Sequence, residues 1–314
     1  MWAIAPALLM GWALGANDAA NVCGLAVTVG ALRFRAAVLL TALFVLAGAG
    51  LSGQAGMGTY RALAEHGLAG AFLVALSAAL TITLMTGRGL PVSTSQAAVG
   101  AILGVALAAG KPVDLRILGR IVLSWVSSPL GAMVLAFLLH GLVTPFLSRS
   151  RLGLETLDRL ARWGLILIGV WGAYALGANN VANVTGVFVG AGLLSPAAAG
   201  LIGGASIALG ALTYSRPVME TIGQKLVQVG TWPALLALAA QAAVLQGFAL
   251  LGVPVSSSQA VVGAVVGIGL VKGVSAVNLR QILRILLGWI LTPALSGLVG
   301  ALGWVLFRVL LRGG

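Results

Sequence analysis

A chain of 314 residues that is 60% hydrophobic and only 8% charged, with a mean hydropathy of +1.09, falls outside the soluble class, where about 25% of residues are charged. Its net charge of +12 would raise nucleic acid as a partner in a soluble protein. Here the bases lie between apolar runs without interleaved aromatics, so interfacial anchoring and a positive-inside bias account for them. The single Cys23 excludes an intrachain disulfide and a cysteine-based zinc site.

A bilayer span needs about 20 mostly apolar residues, and such runs follow one another almost end to end. The fold class expected is an all-α polytopic membrane protein in the cell membrane, with high glycine content suited to close helix packing. The first residues lack a basic n-region, so the first segment is expected to be retained rather than cleaved. Residues 1–31 are apolar but interrupted by Gly15-Ala16-Asn17-Asp18-Ala19-Ala20-Asn21, read as a break in the helix. Arg33 and Arg35 mark a membrane edge, and a second run covers 36–58. Arg61 and Glu65 follow at i,i+4 spacing, a favourable pair on a helix. After the apolar run 68–86, Gly87-Arg88-Gly89-Leu90-Pro91 breaks the chain, and Pro91-Val92-Ser93-Thr94-Ser95-Gln96 leads into the apolar stretch 97–109. A basic edge at 111–120 and a span over 117–140 complete the first half. Residues 145–162 are the one markedly polar connector and are read as a short surface helix.

The second half repeats the first. Gly177-Ala178-Asn179-Asn180-Val181-Ala182-Asn183 lies 162 residues after its counterpart at Gly15. Pro254-Val255-Ser256-Ser257-Ser258-Gln259 lies 163 after Pro91, and Trp289 with Pro293 lies 164 after Trp125 with Pro129. Arg216 and Glu220 repeat Arg61 and Glu65 at an offset of 155. The expected organisation is therefore a membrane repeat over 1–144, a polar linker over 145–162 and a second membrane repeat over 163–314. Arg33 and Arg35 are answered by Ser195 and Ala197, an asymmetry that favours opposite orientations of the two halves. Inverted repeats, each with a broken helix and a re-entrant helical hairpin, are the usual plan of secondary transporters.

The two polar motifs carry opposite chemistry. Proline followed by Ser-x-Ser reads as a hairpin tip opening a half-helix at Ser95 or Ser258, with free N–H donors, a positive dipole end and hydroxyls around it. Two such tips could hold a tetrahedral oxyanion; the alternative is that the hydroxyls bond back to helical carbonyls in tight packing. Asp18 is an acid in an apolar run and must be neutralised, paired or functional. With amide oxygens from neighbouring asparagines it suits Na⁺ or a proton; the alternative is a small-residue packing face with Asn as interhelical glue. Arg216 and Glu220 read either as a structural pair or as a gate.

Taken together, these motifs resemble the inorganic phosphate transporter (PiT) family. The Gly-Ala-Asn motifs look like its duplicated Gly-x-Asn-Asp-x-x-Asn signature, the Pro-Val-Ser motifs like its hairpin tips, and Glu220-Thr221-Ile222-Gly223 like its Thr-Ile-Gly element. The resemblance implies inverted repeats and cation-coupled symport of phosphate. It implies anion binding by Ser93, Thr94, Ser95, Ser256, Ser257 and Ser258 with Asn21 and Asn183, and cation coupling through Asp18 and Asn17 with Asn179 and Asn180 opposite. Asn180 stands where the family has a second aspartate, and the central linker is short. Both features are similar to a sulfate-permease branch. The partners expected are phosphate or sulfate, Na⁺ or H⁺ and the bilayer, with no nucleic acid and no cofactor, and with a homodimer as the assembly compatible with them. A passive anion channel is the alternative of another class. An enzyme is disfavoured by the lack of His-Glu-x-x-His, Gly-x-Ser-x-Gly and Walker sequences, and His66 and His140 sit in no catalytic arrangement.

Overall fold

The computed structural model describes residues 2–88, 92–219, 230–271 and 279–312. After a 3₁₀ turn at Trp2–Ile4, the first half comprises α1 (Ala5–Thr28), α2 (Phe34–Ser52), α3 (Gln54–Leu63), α4 (Leu68–Thr86), α5 (Thr94–Ala108) and α6 (Leu115–Arg149). The second comprises α7 (Leu154–Gly190), α8 (Pro196–Tyr214), α9 (Thr231–Leu250), α10 (Ser257–Val271) and α11 (Leu279–Arg312). Among the described residues seven helices are long and apolar enough to cross a membrane. The chain is a multi-pass membrane protein. Its outer surface is apolar, with Leu123, Val126, Leu130, Val134 and Phe137 exposed along α6 at helical spacing. By contrast, α5 and α10 have 15 residues each, about 22 Å at 1.5 Å per residue, too short for a core about 30 Å thick.

The two halves make matching contacts. Gly15 of α1 lies against the carbonyl of Ile207 in α8, and its repeat Gly177 of α7 lies against the carbonyl of Val45 in α2. Gly100 and Gly104 of α5 face the carbonyls of Pro293 and Gly297 in α11, while Gly263 and Gly267 of α10 face those of Pro129 and Met133 in α6. Each half-span helix is thus clamped by the last long helix of the other half. The repeated helices α1 and α7 cross each other antiparallel: Gly11 packs on Val184, Val22 on Gly172 and Cys23 on Gly169. The crossing centre falls on the two Gly-Ala-Asn motifs.

At Gly100 a methyl group would overlap the Pro293 carbonyl. Gly131, an exposed glycine of α6, has nothing near. Gly100→Ala is therefore expected to destabilise by about 1–3 kcal/mol through forced separation of α5 and α11. Gly131→Ala should be neutral or stabilising, since alanine is the better helix former. Thermal unfolding in detergent, followed by loss of the monodisperse elution peak, separates the two.

Four expectations from the sequence are corrected. The motifs at 15–21 and 177–183 do not break their helices: α1 and α7 run through them without interruption. Gly15 and Gly177 serve close helix crossing, and Asn17, Asp18, Asn21 and Asn183 find side-chain partners on other helices while Asn180 bonds Asn183 side chain to side chain, leaving the backbone ladder intact. The hairpin helices begin earlier than Ser95 and Ser258. Ser93 caps α5 by accepting from the Gln96 N–H at 3.2 Å, and Ser256 accepts likewise from Gln259 at 3.2 Å. The connector 145–162 is not a separate helix but the ends of α6 and α7, with only 150–153 between them; its acids and bases do pair, Glu155 with Arg159 at 2.8 Å and Asp158 with Arg162 at 2.6 Å. Arg61 and Glu65 form no ion pair, because α3 ends at Leu63 and Ala64 is extended.

That same turn buries His66, where burial first and the nearby Lys111 second push its pKa from 6.5 down to about 4. The folded protein keeps this imidazole neutral, whereas the unfolded chain takes up a proton below pH 6.5. Its contribution to stability is thus complete above pH 6.5 and lost as pH falls toward 4. Melting temperatures should fall across that window, and His66→Gln should flatten the dependence.

Candidate functional site

Both Gly-Ala-Asn motifs and both hairpin tips meet at the centre of the molecule. Asn17, Asp18, Asn21, Ser93, Thr94, Ser95, Asn179, Asn180, Asn183, Ser256, Ser257 and Ser258 are all buried, none more than 3% exposed. This is a polar nucleus inside an apolar protein. An unpaired polar group there costs of order 1–3 kcal/mol, so its hydrogen bonds carry the organisation.

Asp18 is the hub of the first half. Its Oδ2 accepts from the Thr94 hydroxyl at 2.8 Å, and its Oδ1 accepts from the Asn21 amide at 3.3 Å. The Asn21 amide also donates to Ser257 Oγ of the other tip at 2.8 Å. One carboxylate is therefore tied to tip one through Thr94 and to tip two through Asn21 and the Ser257 hydroxyl itself. All of its donors are neutral: among the described residues the ion pairs are Glu155–Arg159 and Asp158–Arg162, both on α7 outside this nucleus. The tips also touch one another, since Ser258 Oγ donates to the Val92 carbonyl at 2.8 Å. Within each tip, Ser93 and Ser95 lie 3.3 Å apart and Ser256 and Ser258 3.0 Å apart, oxygen to oxygen.

The second half repeats this pattern with an amide at the hub. Asn180 Oδ1 accepts from the Asn183 amide at 2.8 Å, as Asp18 accepts from Asn21. Asn179 Oδ1 accepts from the Val255 N–H at 3.2 Å, fastening α7 to tip two. Several buried polar atoms here have no partner among the described residues: the amide nitrogens of Asn179 and Asn180, and the amide oxygens of Asn21, Gln96 and Gln259. Donors from half two and acceptors from the tips thus converge in one nucleus. Asp18 with the Asn21 oxygen is hard-cation chemistry. No cluster of three or more His, Cys, Asp or Glu among the described residues suits a transition metal.

Two residues were not found from the sequence. Tyr60 of α3 donates its hydroxyl to Asn183 Oδ1, and Thr86 Oγ1 accepts from the Asn17 amide at 2.9 Å. Arg216, read as a structural pair with Glu220 or as a gate, has its guanidinium 6.0 Å from the centre of the Phe34 ring. Glu220, Pro91 and the 221–223 element lie outside the described residues.

The comparison with known proteins meets this geometry. A model of the phosphate transporter family matches twice, over residues 14–156 and 148–300, one match on each half. The chain belongs to the phosphate transporter family. It is 31% identical to the sulfate permease CysP of Bacillus subtilis, covering 90% of this chain and 81% of that one. It is 28% identical to the "Putative phosphate permease" of Pyrococcus horikoshii, covering 96% and 95%. A solved structure titled "The sodium-dependent phosphate transporter" superposes with a TM-score of 0.88 over 98% of both chains at 23% identity, a match of fold. Membership accounts for why the transporter-family motifs and the polar nucleus coincide.

Proposed function

We propose that this member of the phosphate transporter family is a cation-coupled secondary transporter, a symporter that carries inorganic phosphate with H⁺ or Na⁺. The observation that carries the reading is Asp18. It is buried at the junction of both hairpin tips and held only by neutral donors. An acid so placed in a membrane costs about 2.5–3.5 kcal/mol or more, and a proton or Na⁺ arriving from solution neutralises it. Because Thr94 and Asn21 link the carboxylate to both tips, its neutralisation alters the hydroxyls that would face the anion. That linkage is what coupling requires.

In this reading Ser93, Thr94, Ser95, Ser256, Ser257 and Ser258 bind the oxyanion with the N-terminal ends of α5 and α10. Asn21 and Asn183 hold the hydroxyls and hubs in register. Asp18 and Asn17 bind the coupling cation, with Asn179 and Asn180 as the neutral counterpart. The antiparallel crossing of α1 and α7 supports inverted-topology repeats, in which rocking of one half exposes the site alternately to each face.

A sulfate permease is the second reading, favoured by Asn180. Sulfate at neutral pH presents acceptors only, whereas protonated phosphate also needs an acceptor from the protein. Replacing a second carboxylate by an amide removes an acceptor and supplies the donor Asn180 Nδ2. Uptake of radiolabelled phosphate into proteoliposomes, with an imposed pH or Na⁺ gradient and with or without excess unlabelled sulfate, tests both. Gradient-driven uptake that sulfate leaves intact supports the phosphate symporter. Abolition by sulfate moves the protein to the second reading, and flux indifferent to both gradients makes it a passive channel.

A further inference from the structure

We infer that a second oxyanion-binding station exists beyond the central nucleus, in the cavity formed where α1 ends. The inference rests on the oxyanion-transport reading above. The cavity has a volume of about 490 Å³ and is lined by Val27, Thr28, Arg33, Phe34, Arg35, Arg216 and Met219. Arg33 and Arg35 line it with no acid among the described lining residues, and Arg216 stacks toward Phe34. Arginine presents forked donors that match two oxygens of a tetrahedral anion at once.

Its position connects it to the central site. The wall residue Met219 is buried and packs against Gly24, and Gly24 lies three residues beyond Asn21 on α1. Val27 and Thr28 are six and seven residues beyond Asn21, a helix rise of about 9–10 Å. That places the cavity wall less than two helical turns along α1 from Asn21. Basic residues focused into a cleft raise the local concentration of a counter-ion. The station is thus a vestibule in which the oxyanion waits beside the tips.

Equilibrium binding of radiolabelled phosphate, and separately sulfate, to the detergent-purified full chain tests this. At low salt two classes of site are expected. Arg33→Gln with Arg35→Gln should weaken one class by about tenfold or more, and that class should also fade in about 1 M chloride, where the Debye length is ~3 Å. Arg33→Lys with Arg35→Lys should retain it in part, separating loss of charge from loss of fold. Thr94→Ala with Ser257→Ala should weaken the other class only. Identical isotherms for wild type and the Gln variant would overturn the vestibule and leave the arginines as interfacial anchors. It would equally be overturned if the arginine-dependent class took only the short-chain lipid dihexanoyl phosphatidylglycerol and neither inorganic anion. If the arginine-dependent class is present but the tip variant changes nothing, the central assignment fails while the vestibule stands.

Discussion

Asp18→Asn should abolish gradient-driven uptake while leaving a folded protein. The amide has the shape of the carboxylate, and its oxygen can still accept from Thr94 or Asn21, as Asn180 Oδ1 accepts from Asn183 in the second half. The fold therefore already tolerates an amide at the equivalent position. What is lost is the charge. An ionised Asp18 draws in a proton or Na⁺ from solution, because no cation of the protein pairs with it among the described residues. An amide has no such requirement. In proteoliposomes the variant's flux should become indifferent to both pH and Na⁺ gradients, and accumulation should fall to the level of empty vesicles. Retained accumulation with an unchanged elution profile would place the coupling group elsewhere.

The repeat made most of this nucleus legible in advance. Asp18, Asn21, Thr94 and Ser257 announce themselves because polar residues stand out in apolar runs, and because each recurs 162 or 163 positions away. Tyr60 and Thr86 stayed hidden for the complementary reason. The residue before Arg216, matching Tyr60 before Arg61, is Ser215, whose hydroxyl bonds the Ala211 carbonyl within its own helix; the position 163 beyond Thr86 is Ala249. Duplication reveals only what is duplicated, and these two residues are where the halves differ. The unbroken course of α1 was misjudged because Gly and Asn weaken isolated helices. Packing decides otherwise: Gly15 is needed against the Ile207 carbonyl, and the Asn17, Asp18 and Asn21 side chains bond Thr86, Thr94 and Ser257. The caps at Ser93 and Ser256 follow from the same logic. The first serine after Pro-Val accepts from the N–H three residues on, which leaves Ser258 able to donate to the Val92 carbonyl of the other tip.

Thr94→Ala combined with Ser257→Ala should weaken oxyanion binding by about a hundredfold or more. These two hydroxyls are the equivalent first residues of α5 and α10, and neither caps its helix, so the helix starts held by Ser93 and Ser256 survive the change. Thr94 donates its one hydroxyl proton to Asp18 here and would turn it to the oxyanion once that carboxylate is neutralised; a hydrogen bond to a charged group contributes about 1.5–3 kcal/mol. Ser257 accepts from the Asn21 amide, which then retains only its longer 3.3 Å bond to Asp18. Losing two such groups removes roughly 3 kcal/mol or more from an anion held by both tips, and 1.4 kcal/mol corresponds to a factor of ten. The single variants distinguish binding from coupling. Thr94→Ala removes the tip-one link to Asp18, so it should also raise the Na⁺ concentration or lower the pH at which uptake is half-maximal. Ser257→Ala should lower anion affinity with a smaller effect on the coupling ion. Equal effects of the two on both quantities would mean that the tips and Asp18 act as one unit through Asn21, and Asn21→Ala should then reproduce either variant alone.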